Sequence, residues 1–443
     1  MSGLTYTNVA PSAARLTESL RDIGYDFPTA VADLVDNSVD AGAGRVEIEI
    51  RFDGENSWVS IADDGIGMSS KSLLEAMRFG SRRGYGLRDL GRYGLGLKTA
   101  SFSQCRSLAV VTRQRGSGRT SSRMIDLDVI AEYDDWIIYS PAGDEHVARA
   151  RKQIADTGGT VVIWRSLDRV LPERRPEGGW ARRRIENLAA KTAEHLGVVF
   201  HRFLEGSVGD PLVITVNGEK VVPWNPFAPD EPARVELPLQ RFELSVGEVS
   251  GAVSLQCVVL PSRDRFSSAT EFDRLSGPLN WNRQQGLYIY RAGRLVQYGG
   301  WFGIRGIDEH TKLARAALEF DADLDLVFNI NVAKMRVTMP PQLRQLLERP
   351  INELCIRADD AYRKTARHAG DTEDAPGRSP RAAQMELPLQ RESGEADGPV
   401  ATTAGLALHS AAMQAGEYAA WSRILNVLRT QAPDVAAKLG LDS

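Results

Sequence analysis

Three segments near the start of the chain combine glycines with acids or amides at spacings that few folds can accommodate. The first, Asp33-Leu34-Val35-Asp36-Asn37-Ser38-Val39-Asp40-Ala41-Gly42, falls in a helical pattern over residues 28–41. Asp33 and Asn37 are four apart and share one helix face, one turn from each other. A carboxylate placed there can orient an attacking water, and an amide oxygen is a neutral, hard ligand for Mg2+. A helix with polar residues facing solvent would give the same string. The second segment, Asp63-Asp64-Gly65-Ile66-Gly67-Met68, directly follows an alternating strand pattern. A carboxylate ending a strand can accept a hydrogen bond from an exocyclic amine, and glycines let backbone approach a flat base. A tight acidic turn or a weak Ca2+ loop is the other reading, although the acid spacing of an EF-hand is absent. The third segment is Gly91-Arg92-Tyr93-Gly94-Leu95-Gly96-Leu97-Lys98-Thr99-Ala100-Ser101. Glycines opening a helix present free backbone N–H groups to phosphate, helped by the helix dipole and by Lys98. The spacing is neither that of a Walker loop nor that of a dinucleotide-binding fingerprint.

Alternating patterns predict strands over residues 45–52, 58–63 and 159–164, with a hairpin turn at Asp53-Gly54-Glu55-Asn56. An Arg-rich helix follows near residues 180–203. A second α/β stretch then has strands over 212–216, 253–260, 287–290 and 326–332 and a helix over 341–368. Composition turns to Pro, Gly, Ser, Ala and charge from 369 to about 405, which reads as a disordered linker, and a short amphipathic pattern resumes beyond it.

Bulk properties fit a two- or three-domain globular protein: 443 residues, 42% hydrophobic, 25% charged. No apolar run is long enough for a membrane span, and no signal-peptide pattern opens the chain. Cys105, Cys257 and Cys355 stand apart with no neighbouring His, which fits a reducing cytoplasm and argues against zinc. A net charge of −4 argues against a surface coated in nucleic-acid contacts but leaves room for a local basic groove.

Together the three segments resemble the N-box, the DxGxG box and the GxxGxG box of the gyrase, heat-shock chaperone, histidine kinase and MutL (GHKL) ATPase superfamily. Thr157-Gly158-Gly159-Thr160 resembles its last motif. The resemblance implies an α+β chain. A Bergerat-type ATP-binding α/β sandwich (1–203) would precede a ribosomal-S5-like transducer domain (204–368), a linker (369–405) and a small helical segment (406–443). It also implies ATP and Mg2+ as cofactors. Asn37 would hold the metal and Asp63 would read adenine, with Gly65, Gly67 and Met68 against the base. Gly91, Gly94, Leu95, Gly96, Leu97, Lys98 and Thr160 would complete the nucleotide site. Residues 79–93, with Arg82, Arg83, Arg88 and Arg92, look like a mobile ATP lid, although a solvated charge run explains those arginines equally well. Family members usually carry Glu at the general-base position, here Asp33. One methylene displaces the carboxylate by on the order of 1 Å, enough to cost around 10²-fold in rate if nothing compensates, so slow hydrolysis is expected.

Asn331-Val332-Ala333-Lys334-Met335-Arg336-Val337 resembles the transducer loop that sends a lysine to the γ-phosphate, with Lys334 in that role. Residues 285–301 and Gly96-Leu97-Lys98 are closest to prokaryotic MORC-like proteins, some of which guard against foreign DNA. The expected function is therefore an ATP-gated dimeric clamp or switch in DNA-related processes, closing through an N-terminal strap (1–15). A non-hydrolysing ATP-sensing scaffold and a chaperone-like ATPase are the alternatives. Chemistry on DNA would need a nuclease or other effector as partner. Arg182, Arg183 and Arg184 are the densest basic cluster, beside Arg174 and Arg175, and a candidate DNA contact. Gln384-Met385-Glu386-Leu387-Pro388-Leu389 resembles the peptide by which bacterial proteins dock on the sliding clamp.

Overall fold

The computed structural model describes residues 11–22, 24–79, 96–172, 176–247, 249–330, 337–371 and residue 425. Several sequence expectations lie outside these residues: the lid beyond Phe79 with Gly91, Gly94 and Leu95, Arg174 and Arg175, the Lys334 loop, the linker with its clamp-like peptide, the segment 406–443 apart from residue 425, and the first ten residues.

Two short helices open the described chain. Helix α1 is Ala13–Arg21 and α2 is Phe27–Asp40. Asp26 caps α2 by accepting from Thr29 N at 2.9 Å, with Pro28 in the first turn, where its missing N–H costs nothing. Strands β1 (Arg45–Arg51) and β2 (Trp58–Asp63) form the expected hairpin, closed by Asn56 N donating to Asp53 O at 2.9 Å. Helix α3 (Ser70–Met77) and α4 (Gly96–Phe102) follow, then β3 (Ser107–Arg113), β4 (Thr120–Asp126), α5 (Leu127–Tyr133), α6 (Glu145–Gln153) and β5 (Gly159–Arg165). The long α7 (Gly179–Val199) leads through α8 (His201–Leu204) to β6 (Val213–Val216) and β7 (Glu219–Lys220).

These strands make one sheet in the order β4-β3-β5-β2-β1-β6-β7, antiparallel except where β6 joins β1 in parallel. Helices α2, α4 and α7 bury their apolar faces on one side, meeting Val46, Ile48 and Ile50 of β1. Val147 and Ala150 of α6 cover the other side over β3 and β5. Buried on both faces, β3 and β5 therefore read as continuous apolar runs, whereas β1 alternates. The first sheet extends past the boundary expected at 203/204. Residues 213–220 complete the first sheet, and Leu212, Ile214, Val216 and Val221 belong to its core.

The second sheet is built from β8 (Val235–Glu236), β9 (Gln240–Val246), β10 (Val249–Val259), β11 (Gly286–Arg291), β12 (Arg294–Tyr298) and β13 (Ala314–Phe320). Its order is β12-β11-β13-β10-β8, with β9 paired to β10. Helices α9 (Ala269–Leu275) and α10 (Trp281–Gln284) lie between β10 and β11 in sequence. Helix α11 (Pro341–Asp371) lays Leu343, Leu347, Ile351, Leu354 and Ala358 on the second core at helical spacing. The strand expected over 326–332 is not found at 326–330, where the chain turns and Asn329 takes a φ of 45°. The strand is instead β13, whose pattern is interrupted by Arg315, a fully buried side chain donating to the carbonyls of Pro226 and Leu275. Where the two sheets' lobes meet, His201 Nε2 lies 2.8 Å from Tyr290 Oη, and Arg202 sits over the Tyr290 ring and pairs with Glu319 at 3.0 Å. Both lobes belong to one compact unit, and the resulting architecture is mixed α+β.

Candidate nucleotide site

The first two segments meet through a residue that the sequence reading passed over. Ser38, one position beyond Asn37 on α2, donates to Asp63 Oδ2 at 3.2 Å. Asp63 ends β2, and its Oδ1 accepts from Gly65 N at 2.9 Å. Burial pushes the Asp63 carboxyl up to about 6 from 3.8, and the hydrogen bonds from Gly65, Ser38 and Thr160 offset only part of that. At neutral pH Asp63 is therefore an ionised acceptor held in a poorly hydrated place, suited to an amine donor.

The turn beyond it needs its glycine. Gly67 has a φ of +62°, and a methyl there would overlap the Arg113 carbonyl. Met68 N donates to Thr112 Oγ1 at 2.9 Å, and Thr112 lies 3.1 Å from Thr160 Oγ1, opposite it on β5. Thr112 was also missed, because a threonine inside an apolar strand looks like ordinary β composition.

The third segment reaches the first at α4. A methyl on Gly96 would stand 2.5 Å from Asp33 Oδ2, so only glycine lets this helix start so close to that carboxylate. Asp33 is 2% exposed, and its Oδ2 accepts from Tyr25 Oη at 3.2 Å. Burial and the Asp33 charge hold the Tyr25 phenol well above its ordinary value, so it stays a donor. Asn37, one turn along, is exposed, and no hydrogen bond ties its side-chain amide to another described residue. Such an amide is available to a cation that takes its remaining ligands from phosphate and water.

Lys98 is placed differently from the expectation of a phosphate-facing cation. It is 1% exposed and donates to the Ala76 carbonyl at 2.8 Å, near the end of α3. Burial lowers its amine to about 8. An ammonium has three donors, so this bond does not by itself exclude a phosphate contact. Leu97 is half-buried beside it against the first core. The structure thus brings together Asp33, Asn37, Asp63, Gly65, Gly67, Met68, Gly96 and Thr160 around the ends of α2, β2 and α4.

Part of this sequence is similar to known proteins. Residues 25–157 match the family model described as histidine kinase-, DNA gyrase B- and HSP90-like ATPase. The ATPase morc-1 of Caenorhabditis elegans is 30% identical over 173 residues, covering 32% of this chain and 20% of the relative. The DNA mismatch repair protein MutL of Halobacterium salinarum is 31% identical over 136 residues, covering 30% of this chain and 19% of the relative. MutL of Pelotomaculum thermopropionicum is 44% identical over 50 residues, 11% of this chain and 8% of the relative. The chain spans a fifth or less of the length of these relatives.

Proposed function

We propose, from the premise that residues 25–157 of this chain belong to the GHKL superfamily of histidine kinase, gyrase B and HSP90-like ATPases, that the protein binds and slowly hydrolyses ATP. The observation that supports this most is the convergence of three separated segments on one site through Ser38–Asp63 and Gly96–Asp33. Asp63 accepts from the adenine amine, Gly65 and Gly67 leave room for the base, and Met68 flanks it. Asn37 ligates Mg2+, which would neutralise phosphate charge when bound. Asp33 orients the attacking water, its own position fixed by Tyr25 and by the start of α4. Lys334, in the segment that precedes α11 in sequence, contacts the γ-phosphate, so the protein distinguishes a triphosphate from a diphosphate.

Binding should discriminate by base. GTP carries a carbonyl where ATP carries the amine, and an oxygen facing the Asp63 carboxylate is repelled. ATP is expected to bind at least about 100-fold more tightly than GTP by calorimetry. Equal affinities would remove the adenine role of Asp63. We further propose that a non-hydrolysable ATP analogue converts monomer to dimer, closing a clamp. Sedimentation showing one unchanged species with and without the analogue would refute closure.

The relatives include a DNA mismatch repair protein, and a basic face of α7 supports DNA as a ligand here. Arg182, Arg183 and Arg184 are all exposed, and Arg182 lies 5.4 Å from the Phe52 ring centroid. Such contacts act through phosphate and are screened by salt. Reversing all three charges should weaken binding to duplexes of any sequence and reduce the salt slope by roughly three counterions. Unchanged affinity and slope would exclude this face.

A further inference from the structure

We infer that the β11–β12 hairpin is a two-ended strut, and that its arginines Arg291 and Arg294 are positioning residues for recognition of the triphosphate. At one end, Arg294 opens β12 and its Nε donates to Asp36 Oδ1 at 2.8 Å. Both side chains are almost wholly buried, at 3% and 0% exposure. Asp36 stands on α2 between Asp33 and Asn37, so the second lobe holds the very helix that carries the water-orienting and metal-binding side chains. At the other end, Arg291 closes β11 and grips Asp325 with two bonds, at 2.7 and 2.8 Å, again with both partners buried. Asp325 lies a few residues ahead of the 331–336 segment that contains Lys334.

The element between the two grips is short and stiff. Only Ala292 and Gly293 separate the arginines, both with positive φ (49° and 79°), as a two-residue hairpin turn requires. Arg291 and Arg294 are directly paired across the ladder. The tip packs on the first lobe, where a methyl at Gly293 would come 2.7 Å from a Val208 methyl. A paired guanidinium and carboxylate in a dry setting tolerate little displacement, because separating them strands two charges out of water. Displacement of α2 is therefore resisted at one end of the hairpin, and displacement of the chain around Asp325 at the other. A buried ion pair spanning two lobes is a poor way to gain stability and a good way to fix register.

This inference rests on the ATP reading and on Lys334 meeting the γ-phosphate. ADP touches only the first lobe in that reading, whereas a triphosphate depends on the distance between α2 and the lysine. The test compares affinities for ADP and for a non-hydrolysable ATP analogue with Mg2+, in the full chain, with melting curves confirming the fold. In Arg294→Gln, Arg291→Lys and the neutral double variant Asp36→Asn with Arg294→Gln, the analogue should weaken at least about tenfold while ADP changes less than about threefold. The double variant should lose no more than Arg294→Gln alone, since it strands no carboxylate. Because it removes both charges of this pair together, it carries the test if a single variant does not fold. Parallel losses of both nucleotides would make the pair merely structural and overturn the strut. Lys334→Ala, measured beside them, separates the two layers. If it lowers analogue affinity while the hairpin variants do not, the strut is wrong and the lysine reading stands. If neither lowers it, both are wrong.

Discussion

Asp63→Asn is expected to abolish tight ATP binding and, at the same time, to raise the melting temperature of the nucleotide-free protein. Asparagine can keep the hydrogen bonds to Gly65 and Ser38. Its oxygen can accept from Gly65 N as Asp63 does at 2.9 Å. Its amide can donate to Ser38 Oγ, whose own proton then goes to the Leu34 carbonyl, already 3.4 Å away. What disappears is the acceptor for an adenine amine, which now meets another N–H donor. Losing a charge-assisted bond and leaving a donor unpaired costs about 3 kcal/mol, on the order of 10²-fold in affinity. Stability moves the other way because the carboxyl is raised to about 6 from 3.8 in the folded chain. A raised acid contributes stability that is complete below the unfolded value and lost as pH climbs through about 6. At pH 7 and above, the ionised group therefore costs the empty fold roughly 2 kcal/mol, allowing for partial solvent access, and asparagine relieves it. Wild type should lose melting temperature from pH 5 to 7 relative to the variant, and ATP affinity should weaken below about pH 6 as the acceptor is protonated. A variant that binds ATP normally, or that melts below wild type at pH 8, would contradict this account.

Asp33→Asn should leave ATP binding within about threefold of wild type and slow single-turnover hydrolysis by at least about 100-fold. The amide oxygen still accepts from Tyr25, so geometry is kept while the proton-accepting group is lost. Tyr25→Phe should give a smaller loss, since it removes one donor to the carboxylate and leaves the carboxylate in place. Asp33→Glu is the more telling substitution. It supplies the residue usual in the superfamily, yet α4 begins so close that a methyl on Gly96 would already stand 2.5 Å from Asp33 Oδ2. An extra methylene pushes the carboxylate into that helix start, so turnover should fall rather than rise. Wild type and Asp33→Asn that bind ATP and are equally inert would instead establish an ATP-sensing scaffold without turnover.

The site was legible in sequence where chemistry and backbone geometry coincide on adjacent residues. Asp63 with Gly65 and Gly67, or Asp33 with Asn37, announce themselves because strand ends, helix turns and glycine are local matters. Tyr25, Ser38 and Thr112 were not legible, since each acquires its role from a partner that no helix or strand period brings to it: Asp33, Asp63 and Met68. Residues 107–113 and 120–126 were not singled out as strands, and β13 was hidden by Arg315, a charge whose burial depends on backbone carbonyls contributed by residues 226 and 275. Lys98 shows the converse. Its pattern pointed to a phosphate contact, and the bond it makes to the Ala76 carbonyl could not be read from that pattern. The Arg294–Asp36 pair joins residues 258 apart, a separation that no local pattern can reveal.

The return of the chain to the first sheet after α7 sets the smallest piece of the first lobe that can be produced on its own. Cutting at residue 203 removes β6 and β7 and leaves the open side of β1, from Arg45 to Ile48, with unmatched backbone donors and acceptors. It also takes away Leu212, Ile214, Val216 and Val221, uncovering the apolar surface beneath them. An exposed flat edge beside a bare apolar patch is a template for pairing with another chain. Such a fragment should come out of cells in inclusion bodies, while one carried on to about residue 222 should remain in solution.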